Sequence, residues 1–539
     1  MRLVDGAKDV VARAWSAPKD RKLWAGIVAV VLAGVWLRSV RFWIDPIGLW
    51  GDEACWVFKL FDKPLTQGSS RPIGFTVVSY LLAEHGWNDE RTLRLLPQLA
   101  SLGTLVVFPY VGKQLFRSLG ATLLMTVVVA FHPLLIDFAK EFKPYAVEVF
   151  VHLWLVACVL RYRQTQRVST LALLLGSAIV GFLFAYNVVF LYPWLFLLVW
   201  HQDLVRRRWR RLALSGSAAA AAFALVLGVT LTLFGRVEQE EPSDFWAKKY
   251  DAFYLKERAG RSWHHSSQVV WTLERYAAQT RLAGWSRRWW EVGDNEPYWT
   301  GSRQDVFKGI DASVWIALHV LGLVGLGLWR RWAHLVLLWP PLLTQVAFNV
   351  AGRWPLGDLR MNLFVLVYVI PIAMVAVDGA LSTGHRRVAR AAGWTSAVTT
   401  AAALLLPPLP NPYVKHKPAG HTEMVRILER IHELSETMRR RRSRQKVPIL
   451  IDPYTGCPAR YYMTRHTLSM AKYGSYFEDR FRLRGLGAKR ELRQHQRAWV
   501  LTSKYAWPKE TIRWLKKKTK ILYHESFPPT QHLFYVERK

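Results

Sequence analysis

Cysteine is almost absent: Cys55, Cys158 and Cys457 are the only three in 539 residues. They lie far apart and follow no CxxC or zinc spacing, which excludes a redox motif or thiolate metal site of the usual kind. Cys158 sits inside an apolar run and reads as a small core residue. A Cys55–Cys457 disulfide would require both to face an oxidising compartment. Acidic residues are scarce as well, 39 Asp+Glu against 73 Lys+Arg, for a formal net charge of +34. In a soluble protein that excess would point to nucleic acid. Polytopic membrane proteins instead collect Lys and Arg in cytoplasmic loops for topological reasons, so no nucleic-acid partner is expected. No small-residue cleavage site follows the first apolar stretch, residues 23–40, which is preceded by Lys19, Arg21 and Lys22. That stretch reads as a retained span with a cytoplasmic N-terminus. Internal repeats are lacking, and the alanine-rich run at 217–224 is the one low-complexity tract, a composition suited to tight helix packing.

What is present is apolar residue in blocks. The chain is 51% hydrophobic and holds 27 Trp. Its apolar residues gather into stretches near the roughly 17–25 residues that cross a bilayer. They recur at 23–40, 93–113, 120–138, 145–161, 169–186, 188–204, 211–234, 312–329, 333–350, 361–379 and 391–406, eleven expected spans. The mean hydropathy is only +0.07, so substantial polar regions must lie outside the lipid. The basic clusters RYRQTQR (161–167), RRRWRR (206–211), RRW (330–332) and HRRVAR (385–390) all fall on cytoplasmic loops of an eleven-span arrangement. The opposite side then receives residues 41–92, residues 235–311 and everything after 407. The expected fold is a polytopic α-helical membrane protein with a small C-terminal α/β extracytoplasmic domain: residues 1–406 form the membrane part, with outer loops 41–92 and 235–311, and 407–539 the basic tail.

That tail carries 29 Lys+Arg against 11 Asp+Glu, which opposes a naive charge rule. Long domains cross the membrane largely regardless of charge. Within it, 419–441 reads as a helix, PILIDPY, RAWVLTSK and HLFYVERK have strand composition, and WPKETIRWLKKKTK reads as a helix starting after Pro508.

Three segments at outer span ends concentrate charge. LWGDEACWVFKLF (49–61) pins Asp52 and Glu53 between an apolar approach and an amphipathic stretch, either as reactive carboxylates or as interfacial loop residues. FHPLLIDFAKEFKPYAVEVF (131–150) sets Asp137 and Glu141 four apart on one expected helix face, with Lys140 on the same turn and Lys143 just before Pro144 ends the helix. An Asp137–Lys140 ion pair at a helix end is the competing explanation. AGRWPLGDLRMNLF (351–364) runs Arg353, Asp358 and Arg360 into a span, where an arginine either grips a phosphate by paired hydrogen bonds or snorkels to headgroups. Arg71 in SSRPIGF, and Arg91 and Arg94 in ERTLRLLP, pose the same choice. His264 and His265 are adjacent and lack an evident third ligand, so they read as surface residues. The tryptophans between Trp246 and Trp299 either anchor amphipathic segments or stack on sugars.

Together, GDEA after the first span, SSRPIGFTVVSYLLAEHGWNDERTLRLLPQLAS, KEFKPYAVEV and GRWPLGDLRMNLF resemble the bacterial branch of the GT-C glycosyltransferase superfamily, relatives of protein O-mannosyltransferases and aminoarabinose transferases. The resemblance covers roughly the first 200 residues and the 351–371 loop. It implies an inverting transfer of a sugar from a polyprenyl-phosphate donor at the outer face of the plasma membrane to an envelope glycan, lipid or protein acceptor. It matches the family's first-loop acid to Asp52, with Glu53 completing the pair, and the second-loop acid to Glu141 more closely than Asp137. Where relatives carry His-Pro-Pro in the first loop this chain has Ser70, Arg71 and Pro72. Residue chemistry adds Asp52 as general base and Lys140, Lys143, Arg353, Arg360 and Arg71 as donor-phosphate ligands. Asp52 and Glu141 holding Mg²⁺ or Mn²⁺ is the alternative source of positive charge. These segments are expected to face one outer cavity. The competing classes are a polytopic lipid or solute transporter, disfavoured by the absence of inverted repeats, and a noncatalytic envelope scaffold.

Overall fold

The computed structural model describes residues 18–44, 72–85, 89–217, 310–350, 362–382, 421–438, 447–451, 481–485, 496–503, 517–527 and 531–539, with single positions such as Glu53 and Trp354 between them. The chain divides into two units, residues 1–40, 65–77 and 96–409, and residues 41–64, 78–95 and 410–539. The tail's unit thus takes in two segments of the first expected outer loop.

In chain order the helices are α1 (Pro18–Ile44), α2 (Ile73–Glu84), α3 (Glu90–Leu93), α4 (Leu95–Leu115), α5 (Leu119–Phe131), α6 (Pro133–Phe138), α7 (Tyr145–Thr165), α8 (Val168–Phe184), α9 (Tyr192–Val205), α10 (Ile310–Leu328), α11 (Trp332–Leu338), α12 (Pro340–Val350), α13 (Leu366–Ser382) and α14 (His421–Met438). Among the described residues four helical stretches are long and apolar enough to cross a membrane: Arg21–Val40, Leu95–Leu115, Tyr145–Thr165 and Leu363–Ser382. On α1, Val28, Leu32 and Trp36 are exposed at four-residue spacing, an apolar stripe turned away from the protein. Such a stripe suits lipid and not water. The protein is a polytopic helical membrane protein.

The expected spans at 211–234 and 391–406 run beyond the described residues. Two others are broken by proline. The 120–138 stretch is α5 and α6, separated by His132 in extended backbone because the residue before a proline is pushed out of the helical region. The 333–350 stretch parts at Trp339, where Pro340 opens α12. α2 escaped the span count because it has only twelve residues and falls short of the roughly 17 that mark a crossing.

Small residues set the closest contacts. Gly322 of α10 lies so near α13 that a Cβ there would fall 1.8 Å from the Ile372 carbonyl oxygen. Helix pairs in lipid gain chiefly from such approach, since the hydrocarbon gives no hydrophobic drive between them.

Three of the basic clusters meet at one end of the first unit. Gln166 at the end of α7 accepts from Arg206 and from Arg208, the latter at 2.8 Å, joining RYRQTQR to RRRWRR. Gln164 donates to Gln114, tying in the α4–α5 turn. Arg331 of the RRW cluster donates to Leu115 O at 2.7 Å. Buried Asp378 of α13 fastens this end: it accepts from the backbone N–H of Arg117 (3.0 Å) and Ser118 (2.7 Å) at the start of α5 and pairs with Arg331 at 3.7 Å. A carboxylate at a helix N-terminus satisfies donors that have no partner within the helix. Alternation of the helices then puts the α6–α7 turn, the α8–α9 connection, and Trp354 and Asn362 at the opposite end.

In the second unit a five-stranded sheet has the order β2-β1-β3-β5-β4, from β1 (Val447–Ile451), β2 (Phe481–Gly485), β3 (Arg497–Ser503), β4 (Thr519–Phe527) and β5 (Gln531–Arg538). β1 runs parallel to β2 and β3, with Ile449 opposite Leu483 and Trp499, while β5 is antiparallel to β3 and β4. β1, β3 and β5 are the three strands read from composition; β2 alternates Arg482 and Arg484 with apolar residues, and the start of β4 fell within the expected helix after Pro508. α14 buries Met424, Ile427, Leu428 and Ile431, one face at helical spacing. Its Arg430 donates to Tyr523 OH and Glu525 Oε2 on β4, both at 3.0 Å. Of the expected helix after Pro508, residues 509–516 lie outside the described residues, Lys517 and Lys518 are helical, and Thr519 and Lys520 already belong to β4, which corrects its expected end.

Candidate active site

Proline dictates the local course of the chain at the end opposite the basic clusters. Pro133 opens α6, which ends after only six residues. Continuing it would drive the ring of Pro144 against the carbonyl of residue 140 and leave a helical bond without a donor. The chain therefore turns, with Lys140 N donating to Asp137 O at 3.1 Å and Lys143 N to Glu141 O at 2.8 Å, and Pro144 becomes the N-cap of α7. This corrects one expectation: Asp137 ends a helix and Glu141 sits in the turn, so they do not share a helix face.

Within residues 132–143 five ionisable side chains are buried: His132, Asp137, Lys140, Glu141 and Lys143, with Lys143 only 1% exposed. Two acids and two ammonium groups offset one another in sign, which is how a low-dielectric site tolerates charge at all. Ionisable groups held at membrane depth mark functional sites by default. Aromatic rings wall the turn. Phe142 lies 5.4 Å from Phe75 of α2, and Phe138 meets Tyr145 edge-on at 5.4 Å.

The SSRPIGF segment arrives at the same place. Ile73 N, two residues beyond Arg71, donates to Tyr186 OH at 3.0 Å. Gly74 is needed there, because a Cβ would come within 2.9 Å of Leu183 O at the end of α8. Arg71 itself lies outside the described residues.

A buried polar chain runs alongside, and sequence reasoning missed it. Glu148 and His152 occupy the first turns of α7, four apart. Asn187 Nδ2 donates to Glu148 Oε2 at 3.0 Å, and Asn187 Oδ1 lies 3.0 Å from His152 Nε2. An amide oxygen only accepts, so with this amide orientation His152 carries its proton on Nε2. Nδ1 is then left to accept from Tyr368 OH at 2.6 Å. The available signal was two ionisable residues inside an apolar run, PYAVEVFVHLWLV.

This chain adjoins the late loop. The His152 ring stacks on Phe364 at 4.6 Å, and Phe190 meets both Phe364 (5.8 Å) and Trp354 (5.3 Å). Trp354 Nε1 donates to Asn362 Oδ1 at 3.0 Å, and Asn349 Nδ2 donates to Trp354 O at 2.7 Å. Trp354 and Asn362 thus bracket the stretch containing Asp358 and Arg360, with Arg353 just before it. Those three lie outside the described residues.

No family model and no curated protein sequence matches the chain. Among solved structures, ArnT from Cupriavidus metallidurans bound to undecaprenyl phosphate is similar with a TM-score of 0.50 at 14% identity, over 94% of this chain and 97% of that one. The archaeal oligosaccharyltransferase AglB from Archaeoglobus fulgidus, in complex with an inhibitory peptide and a dolichol-phosphate, gives a TM-score of 0.46 at 11% identity over 97% and 74%. The fold is similar to that of ArnT.

The first-loop acids belong to the second unit. Glu53 is fully buried, and both its oxygens accept from Arg94, Oε1 from Nε at 3.0 Å and Oε2 from Nη2 at 2.6 Å. Arg94 follows the short helix α3, whose N-cap Asp89 accepts from Arg91 N at 2.9 Å and Thr92 N at 3.1 Å. Burial works against the guanidinium's charge, but the Glu53 carboxylate, with Tyr462 and Glu90 adding to it, offsets this, and the Arg94 pKa is raised. The choice posed for Arg94 is settled as a buried ion pair. Asp52, like Cys55, Cys457, His264 and His265, lies outside the described residues; Cys158 is buried in α7 as expected. Among the described residues no three of His, Cys, Asp and Glu form a group that could hold a metal ion.

Proposed function

We propose that the chain is an inverting glycosyltransferase that moves a sugar from a polyprenyl-phosphate donor to a cell-envelope acceptor at the outer face of the plasma membrane. The observation that carries this reading is the packing of Phe75, from SSRPIGF, on Phe142 of the α6–α7 turn, where Asp137, Lys140, Glu141 and Lys143 are buried, at the end of a GT-C-type fold opposite the basic clusters. The basic end is cytoplasmic by the positive-inside rule, which makes the charged turn extracytoplasmic. The undecaprenyl phosphate bound to the ArnT of similar fold supports a lipid-phosphate donor.

The chemistry follows from the side chains. The acceptor hydroxyl attacks the anomeric carbon, the carbon–oxygen bond to the lipid phosphate breaks, and the acceptor's proton passes to Asp52. One displacement inverts the anomeric centre. Lys140 and Lys143 bind the phosphate and stabilise the negative charge that grows as it leaves, with Arg71, Arg353 and Arg360 adding paired hydrogen bonds. Desolvated ammonium groups serve well here, because little water screens them. Asp137 and Glu141 balance the lysines before the donor binds, and Glu141 is the described carboxylate to which Mg²⁺ or Mn²⁺ would bind, supplying Lewis-acid charge at the phosphate. Glu53 acts through Arg94, fixing the backbone that carries Asp52.

Membranes from a deletion strain, supplied with radiolabelled polyprenyl-phosphate sugar, are expected to regain transfer of label to an envelope acceptor only when the chain is restored. Transfer that is the same with and without the chain, across hexosyl and pentosyl donors, would remove the proposal. A second measurement addresses sidedness. A periplasm-active reporter fused after Lys539 is expected to be active, and activity from a cytoplasmic reporter alone would overturn the eleven-span arrangement.

A further inference from the structure

Arg38 of α1 is fully buried. A guanidinium without hydrogen-bond partners in such surroundings is strongly destabilising, so where its donors go is informative. Nη1 donates to Ala130 O at 2.8 Å and to Gly34 O of its own helix at 3.1 Å; Nη2 donates to Val129 O at 3.0 Å; Nε donates to Ser101 Oγ at 2.9 Å.

Val129 and Ala130 are the carbonyls that the break between α5 and α6 orphans. In an unbroken helix they would accept from the N–H groups of residues 133 and 134. Residue 133 is proline and has no N–H, and the extended backbone of His132 carries residue 134 out of line. The guanidinium stands in for both missing donors. Ser101, held by Arg38, donates in turn to Leu135 O at 3.3 Å, on the far side of the break. One connected set of bonds therefore grips α5 before the proline and α6 after it. The close seat of α1 makes this reach possible: a Cβ on Gly34 would lie 3.0 Å from that of Ala130.

We propose that Arg38 is a positioning residue, which caps the broken end of α5 and so fixes the direction in which α6 and the turn bearing Lys140 and Lys143 leave the helix. The inference rests on reading that turn as the donor-phosphate site, and Arg38 itself touches no substrate. Its fork is the relevant property. A planar guanidinium reaches two carbonyls and a hydroxyl at fixed angles, whereas the point charge of a lysine does not. In the absence of water, nothing else would satisfy those carbonyls.

The test uses the full-length protein in nanodiscs, wild type against Arg38→Lys and Arg38→Gln, each also with Pro133→Ala. Hydrogen–deuterium exchange over residues 133–143 is expected to quicken about 10-fold or more in both single variants as the break loosens. Transfer at saturating donor, measured on folded protein well below its melting temperature, is expected to fall about 10² -fold in Arg38→Lys, the scale set by misplaced groups. Pro133→Ala gives Val129 O a backbone donor, so the effect of Arg38→Lys on exchange shrinks in that background. A stabilised Arg38→Lys/Pro133→Ala protein that remains slow in transfer separates positioning from mere stability. Unchanged exchange over 133–143 in both single variants, or undiminished kcat in Arg38→Lys, would overturn the proposal. Quickened exchange together with no transfer by the wild type leaves the clamp standing and sinks the glycosyltransferase reading instead. If Arg38→Gln does not accumulate, Arg38→Lys decides.

Discussion

Asp52→Asn is expected to abolish measurable sugar transfer while the protein inserts and accumulates as the wild type does. Asparagine keeps the size and polarity of the side chain and removes only the ability to take a proton. A positioned general base contributes about 10²–10⁴-fold to a rate, and without it the attacking hydroxyl must lose its proton to solvent in a water-poor site. The loss therefore falls on kcat, with the KM for the lipid donor little changed, because the phosphate is gripped by other groups. The control is the adjacent carboxylate. Glu53→Gln alters a residue whose two oxygens both bind Arg94. Its effect is expected on thermal stability first and on activity only as a consequence. Full activity of Asp52→Asn in membranes supplied with polyprenyl-phosphate sugar would remove the central assignment.

Arg94→Met is expected to produce the largest loss of stability of any single change in the described part of the second unit. It leaves the Glu53 carboxylate fully buried without its cation, and breaking a buried pair from one side costs about 3–5 kcal/mol. Removing both charges is a different matter. Replacing a buried pair by apolar side chains of similar volume is close to neutral, so Glu53→Met/Arg94→Met is expected to recover most of the melting temperature that Arg94→Met loses. Melting of the purified proteins in one detergent, followed by tryptophan fluorescence, reads all four members of the cycle. A single variant as stable as the wild type would mean that the pair does not hold the GDEA segment. Recovery of stability in the double variant without recovery of transfer would separate the fold of the first loop from its chemistry.

How far the site was legible in the sequence varies by residue, for physical reasons. Asp137, Lys140, Glu141 and Lys143 stood out as charge next to a span, with a helix-end ion pair as the competing explanation, and all four are buried. Their mutual geometry was misread. Four-residue spacing implies a shared helix face only if the helix continues, and Pro144 acts on the preceding residues before the periodicity shows it. Arg94 and Glu53 lie 41 positions apart, and no local pattern pairs them. Glu148 and His152 were visible as ionisable residues in an apolar run, but Asn187 and Tyr368, which complete their chain, look like ordinary polar residues of other segments. Arg38 was hidden most thoroughly. Near the end of a first span an arginine looks like an interfacial anchor, and its role emerges only from the proline break on α5, 95 positions away.

The sequence by itself determined that this is a polytopic membrane protein and which segments concentrate charge. Apolar block length, Lys and Arg bias and proline are local quantities, and the bilayer imposes them residue by residue. Only the tertiary structure decided which of those segments meet. It joined SSRPIGF to the KEFKPYAVEV turn through Phe75 and Phe142, assigned Glu53 to Arg94, and turned Arg38 toward carbonyls that Pro133 leaves without donors. Those outcomes depend on how closely helices distant in the chain approach one another. That distance is set by small residues such as Gly34 and Gly74 at the contacts, and it is written in no single segment.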